Sequence, residues 1–416
     1  MNIHEYQAKK LLSENGIAVP PGAVAASAQQ AEAIAKDLGG EAWVVKAQIH
    51  ASGRGKGHFR GESGSEGGIR FANSVQEVAE AAEQMLGKAL VTSQTGSEGK
   101  LVNQVYVEKR CQVEREIYLA MFVDRSTNRI ALIASPEGGV NVENMVKQSP
   151  ESLLRVYIDL ESGLGASEID ELLAGLGLQG RPAEVAAEVI TRMYKLFTSL
   201  DASLIEINPL AVVADGDVLA LDAKITFDDN ALFRHKNIAA LRDDHQFETG
   251  ELQAQQHGFN YIKMDGNIGC MTCGAGLAMA IIDAIKQYGG SPANFLDIPP
   301  ITQVDRAKDA LNLLLADPGV ESILINVFGG GIMTCDTIAD AIILANRERP
   351  ISVPLIVRLV GTNADFANRR LLDSGPEITF AENLADAAKK AVDAAAAVKL
   401  RARRSWWDKV QTLVGK

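Results

Sequence analysis

Short apolar runs of strand length alternate along the chain with longer stretches of 3.6-residue periodicity, the pattern of an α/β protein. Trp43 to Ala47 reads as a strand, and the Ala-rich stretch from Ala28 to Leu38 predicts a helix closed by Gly39-Gly40. Gln104 to Glu108, Glu116 to Val123 and Arg129 to Ala134 predict further strands in a meander, so the first half is expected to be mixed rather than purely parallel. Between Ala239 and Gly258 the sequence turns polar and loses sustained apolar patterning, which marks a boundary: one domain over 1–240, a linker over 241–257 and a second domain over 258–397. The second half has a regular rhythm. Strands at Asn267 to Thr272, Asn294 to Ile298, Glu321 to Phe328 and Pro354 to Leu359 alternate with helices at Ala275 to Tyr288, Thr302 to Leu315 and Cys335 to Arg347. Such βαβ repetition predicts an open, doubly wound parallel sheet whose ligands sit beyond the carboxyl ends of its strands.

Composition narrows the function classes. With Lys+Arg 41 against Asp+Glu 53 the formal charge is -12, which disfavours a nucleic-acid partner. Apolar runs are far shorter than the roughly 20 residues of a membrane helix and no secretory signal is visible, so no membrane span and a cytoplasmic or matrix-like location are expected. Four cysteines make no disulfide framework. Cys270 and Cys273 form a CxxC, but a zinc site needs two more ligands at suitable spacing and none follows. The tail, 398–416, sets Lys399, Arg401, Arg403, Arg404, Lys409 and Lys416 around Trp406-Trp407 with Asp408 as its single acid; it reads as a solvated or subunit-packed helix, or as a docking segment.

Three constellations carry candidate chemistry. Lys46 precedes His50-Ala51-Ser52-Gly53-Arg54-Gly55-Lys56-Gly57, a glycine-rich basic loop whose backbone N–H groups can approach phosphate while Lys46 supplies a fixed charge. It is not a Walker A loop, and taken alone it is also what a mobile surface loop looks like. Leu204 to Pro209 and Leu219 to Lys224 flank Ala214-Asp215-Gly216; a three-residue hairpin loop there pairs residues whose numbers sum to 430 and sets Asn208 opposite Asp222. Two such oxygens suit magnesium, although Asn and Asp also flank turns for structural reasons. In the second half, Gly266 to Gly276 and Gly329-Gly330-Gly331-Ile332-Met333 are glycine-rich mouths after strands, suited to an anion at a helix N-terminus.

With these residues in view, the sequence resembles the β-subunit of the succinyl-CoA synthetase group of ADP/GDP-forming acid–CoA ligases, which includes malate–CoA ligase. The resemblance runs from Met1 to about Ala395 and is carried by Asn2 to Lys9, Leu204 to Leu210, Asn230 to Arg234, Asp265 to Cys270 and Pro292 to Asp297. It implies an ATP-grasp domain followed by a flavodoxin-like doubly wound CoA-ligase domain. It further implies nucleotide contacts at Lys46, Gly53, Arg54, Gly55, Glu108, Cys111 and Glu116, magnesium ligands at Asn208 and Asp222, and substrate or phosphate contacts at Cys273, Gly274, Gly331, Ile332 and Met333. The implied chemistry makes an acyl phosphate from a small carboxylic acid and ATP or GTP, then exchanges phosphate for CoA. The phosphoryl group is carried by a histidine of an obligatory, separate α-subunit, so a hetero-oligomer and a place in the tricarboxylic acid cycle are implied as well.

The departures cluster in the second half. Cys273 stands where the family usually has Asn, Pro299-Pro300-Ile301-Thr302 replaces a Gly-Gly-Gly-Ala run, and the segment from Gly329 to Met333 carries one extra glycine. A thiol is a weak hydrogen-bond partner for a carboxylate, so the acid is left open between succinate, malate and other small acids. A glycine- and glutamate-rich insert between Lys56 and Ile69 also lengthens a loop beside the nucleotide site. Two other readings stand beside the ligase: an ATP-grasp carboxylate–amine ligase, and a non-catalytic regulatory or scaffold subunit.

Overall fold

A computed structural model describes residues 1–62, 66–139, 153–374 and 377–414, with side chains described to residue 400 apart from 374. The chain divides into two compact units, Met1–Gln246 and Phe247–Lys416.

The first unit is built around two antiparallel sheets. In the smaller, the strands run in the order Gly22–Ala25, Val105–Lys109, Trp43–Ala47, Ile69–Ala72. Pleating sends Trp43, Val45 and Ala47 into an apolar cluster with Ala31 and Ala35 of the helix Ala28–Leu38 and with Val78, Ala82 and Met85 of Val75–Met85. Both helices start at a serine cap, Ser27 and Ser74, whose hydroxyls accept from Gln30 N–H and Glu77 N–H. Val44 and Lys46 are thereby turned to the opposite face. The larger sheet orders Leu154–Ile158, Arg129–Ser135, Val113–Asp124 and Ala202–Val213, and both Val218–Ala220 and Ala223–Phe227 pair back onto the last. Helix Arg181–Ser199 buries Val189, Ile190, Met193 and Phe197 on this sheet's core.

Every pairing described in this unit is antiparallel, where the sequence suggested a mixed sheet. The reason lies in strand insertion. Gly22–Ala25 and Trp43–Ala47, joined by a helix, are not neighbours, because Val105–Lys109 comes between them and runs against both.

The second unit is the doubly wound sheet. Its order is Asn260–Lys263, Asn294–Ile298, Ile268–Cys273, Ser322–Gly329, Leu355–Gly361, Ile378–Phe380, parallel except for the first strand, which runs antiparallel at the edge. Val304–Leu315 and Cys335–Glu348 pack on one face, Ala275–Gln287 and the start of Leu384–Val414 on the other. The polar stretch that reads as a linker from sequence contains the helix Thr249–Gln256, which buries a single side chain, Ala254, and so leaves no apolar period to detect. The terminal helix continues through Val414, but the charged and Trp side chains expected to matter from Arg401 onward lie outside the described residues, as do residues 63–65 of the insert.

Candidate active site

The outward face of the small sheet and the hairpin of the large one meet a third element, the helix Glu5–Glu14. Its buried positions include Glu5, Ala8, Lys9 and Leu12, a helical stripe that carries two charges inward. Glu5 is the hub. One carboxylate oxygen lies 2.9 Å from Lys46 Nζ and 3.4 Å from Lys9 Nζ; the other is 2.6 Å from Arg54 Nη1. Lys46 also lies 2.6 Å from Glu108 Oε1 and donates to the Leu221 carbonyl at 2.6 Å. Arg54 Nη2 reaches Asp222 Oδ2 at 2.7 Å, and Lys9 pairs with Glu108. Three cations thus face three carboxylates in a buried cluster of no net charge.

Burial alone would discharge Lys46, but Glu5, Glu108 and Asp222 outweigh it and hold the ammonium well above its ordinary range. Asp222 and Glu5 do the same for Arg54. Burial likewise opposes the Glu5 carboxylate, and Lys46, Arg54 and Lys9 overcome it, keeping Glu5 ionised far below the usual carboxylate range. Arg54 is placed by Gly53, whose φ of 76° opens the short 3-10 turn Arg54–Lys56. The turn is held against the sheet where Gly68 N–H donates to the Arg54 carbonyl at 2.8 Å.

The hairpin forms in the register expected from its loop length. Leu210 pairs with Ala220, Val212 with Val218 and Ile207 with Ala223, all summing to 430, with Gly216 at φ 79° in the turn. Between these pairs Asn208 N–H donates to the Asp222 carbonyl at 3.1 Å, so Asp222, in the break between the strands ending at Ala220 and beginning at Ala223, lies opposite Asn208. Asn208 Oδ1 accepts from Gly139 N–H at 2.8 Å. Glu206, missed in the sequence reading, lies two residues along the same strand and therefore on the same face. Burial raises its carboxyl, with Lys224 opposing and Asp222 adding. An amide oxygen and two carboxylates are hard donors of the kind magnesium takes, and no group of three or more His, Cys, Asp or Glu suited to a metal exists among the described residues.

These groups line one cleft of about 1910 Å³ within the first unit: Lys46, Gly53, Arg54, Gly55, Glu108, Cys111, Glu116, Asn208 and Asp222 all border it, as do Glu206 and Lys224. Cys111 is half-buried, and burial and then Glu108 push its thiol up. Glu116 is exposed at the rim.

His50 also borders the cleft, its ring 4.4 Å from that of His4, which meets Asp243 at 2.7 Å. Burial pushes the His50 imidazole down to about 4 from 6.5, with His4 adding and Asp243 opposing. The unfolded chain therefore binds a proton here that the folded chain refuses until near the lower value. This contribution is complete above pH 6.5 and is lost as pH falls toward 4. His50→Asn is expected to shrink the loss of unfolding free energy between about pH 7 and pH 4.5 by roughly 1–2 kcal/mol, after discounting for the ring's partial exposure. Denaturant titrations at both pH values measure it, and an unchanged loss would show that the ring does not exclude the proton.

The second unit holds the remaining expected contacts. Cys273 ends its strand half-buried, and Gly274 at φ 103° begins the helix Ala275–Gln287. Gly274 N–H donates to Asp297 Oδ1 at 2.6 Å, so an internal carboxylate already takes one donor of that mouth. Gly331 and Ile332 are exposed, whereas Met333, expected as a contact, is 2% exposed in the core with its carbonyl accepting from Gly330 N–H at 2.8 Å, and so is withdrawn from the mouth. Cys270 and Cys273 are free thiols three residues apart on a strand, hence on opposite faces, and burial pushes Cys270 up to about 12.

The chain matches the ATP-grasp domain family over residues 2–212 and the CoA-ligase family over 271–392. It is 50% identical over 394 residues to succinate–CoA ligase [ADP-forming] subunit beta of Paramagnetospirillum magneticum, covering 95% of this chain and 99% of the relative. The protein of the same name from Acidiphilium cryptum is 50% identical over the same shares, and that of Rhodospirillum rubrum 48% identical over 395 residues, again 95% and 99%. Among solved structures, ATP citrate lyase from Methanothrix soehngenii, in complex with citrate and coenzyme A, has the same fold with a TM-score of 0.70 at 17% identity, over 94% of this chain and 99% of that one.

Proposed function

The chain belongs to the β-subunit family of ADP-forming succinate–CoA ligases, and from that premise we propose that it works with a separate α-subunit to join a small carboxylic acid to CoA at the expense of ATP or GTP. The observation that carries this reading is the gathering of Lys46, Arg54, Glu108, Asn208 and Asp222 around one cleft. Lys46 and Arg54 would meet the triphosphate oxygens, trading their internal carboxylates for phosphate. Gly53 and Gly55 let backbone N–H groups approach, and Glu108, Cys111 and Glu116 border the rest of the nucleotide. Asn208 and Asp222, with Glu206 beside them, would hold magnesium, which when bound neutralises charge on the phosphates.

Phosphoryl transfer then needs a nucleophile in line with the γ-phosphorus: its bond forms as the bond to the bridging oxygen breaks, and the electron pair leaves with the nucleoside diphosphate. In this reading the nucleophile is a histidine of the α-subunit, and the acid becomes an acyl phosphate before CoA displaces phosphate. Cys273, Gly274, Gly331 and Ile332 are the proposed contacts to acid and phosphate. The weak hydrogen bonding of Cys273 favours a small acid other than succinate as a second reading, malate among them. A cytoplasmic setting goes with nucleotide and CoA as substrates, and among the described residues no helix is long and apolar enough to cross a membrane.

The test is release of nucleoside diphosphate by the complex of this chain with its α partner, with and without CoA, across succinate, malate and other small acids. CoA-dependent release with one acid is the expected result and names the substrate. Sustained turnover without CoA, beyond the one equivalent released when the α-subunit histidine is phosphorylated, would point to a carboxylate–amine ligase instead, and no release under any condition to a non-catalytic subunit.

A further inference from the structure

The sheet that carries Lys46 also presents an aromatic ring that phosphate chemistry does not use. Across three neighbouring strands Phe71 pairs with Val44 and Val44 with Glu108, while two residues further along Ile69 pairs with Lys46. Rows two residues apart on one face are separated by roughly 6.6 Å. Phe71, Val44 and Glu108 thus form a row about one step from the cation row, and Val44, Phe71, Glu108, Ile69 and Lys46 all border the cleft. Phe71 belongs to the edge strand and is 62% exposed, so it contributes little to the core. The Arg110 guanidinium lies over its ring, 4.9 Å from the centroid. Arg110 is itself anchored, its N–H donating to the Ala42 carbonyl at 3.1 Å. Val113, also exposed, borders the cleft beyond it.

We propose that Phe71, pinned by Arg110, is the surface on which the nucleobase of the bound triphosphate stacks, an inference that rests on reading the cleft as the nucleotide site. A ring steadied by a cation over it loses little freedom when a base arrives on its open side, and stacking serves any base with a broad π-face. The shelf therefore separates nucleotides from bare polyphosphate and does not by itself separate ATP from GTP.

The test is equilibrium binding of Mg-ATP, Mg-GTP and magnesium tripolyphosphate to the complex with the α partner, for the parent chain, Phe71→Val and Arg110→Gln. Phe71→Val is expected to weaken both nucleotides about tenfold and to leave tripolyphosphate within about twofold. Arg110→Gln is expected to weaken both nucleotides by a smaller factor. Equal weakening of tripolyphosphate, or unchanged nucleotide affinity in Phe71→Val with an unaltered unfolding midpoint, would overturn the proposal. Parent chain that binds tripolyphosphate as tightly as nucleotide would overturn it while leaving the phosphate site standing; parent chain that binds none of the three would remove the nucleotide cleft and the shelf together.

Discussion

Lys46→Met is expected to lower acyl-CoA formation by roughly a thousandfold or more and to cost the fold about 3–5 kcal/mol. Both effects have one origin. The ammonium sits between Glu5 and Glu108, and removing it leaves a buried cluster with one uncompensated negative charge. Activity falls because the cation that would meet the phosphates is gone. The two losses separate in the double variant Lys46→Met/Glu108→Gln, which restores charge balance: unfolding free energy is expected to recover in part while turnover does not. Denaturant unfolding and steady-state acyl-CoA synthesis with the α partner measure the pair. Turnover retained in Lys46→Met would sink the assignment of the cleft.

Asp222→Asn is the second large effect, and its signature is a split. The side chain is partly exposed and bonds Arg54, which keeps Glu5 and the Ala47 carbonyl as partners, so stability is expected to fall by only about 1–2 kcal/mol. Turnover at fixed magnesium is expected to drop by roughly a hundredfold or more, because the charge of the proposed metal ligand is removed. Metal-free nucleotide should bind more tightly than to the parent chain, since Arg54 is released toward phosphate. Nucleotide affinities with magnesium and with a chelator read this directly; a parallel fall in both would show that Asp222 serves only to position Arg54.

Much of this site could be read from the chain, for identifiable reasons. Lys46 stands inside an apolar strand, where a charge needs an explanation, and the Asn208–Asp222 pairing follows from turn length and the two-residue period of strands. Glu5 and Lys9 were not found because a charged helix start looks like a solvated surface; the signal was their membership of the same stripe as Ala8 and Leu12. Glu206 carried a signal too, sharing a strand face with Asn208. The insertion of Val105–Lys109 between two earlier strands had none, since sequence order does not say which strands become neighbours. Nor does it tell that Met333 is drawn into the core beneath the exposed Gly331 and Ile332.

The turn at Ala214-Asp215-Gly216 lies five residue pairs from Asn208 and Asp222, a distance of roughly 17 Å along the ladder. Ala214 borders the cleft, and the turn as a whole works as a ruler for the groups gathered there. Its residues can change as long as one adopts the left-handed conformation of Gly216, but an added residue that the ladder took up, rather than a longer loop, would bring Leu221 or Ala223 opposite Asn208 and send Asp222 to the far side of the sheet. For this fold, an insertion in an exposed loop that shifts the ladder is a change to the proposed active site.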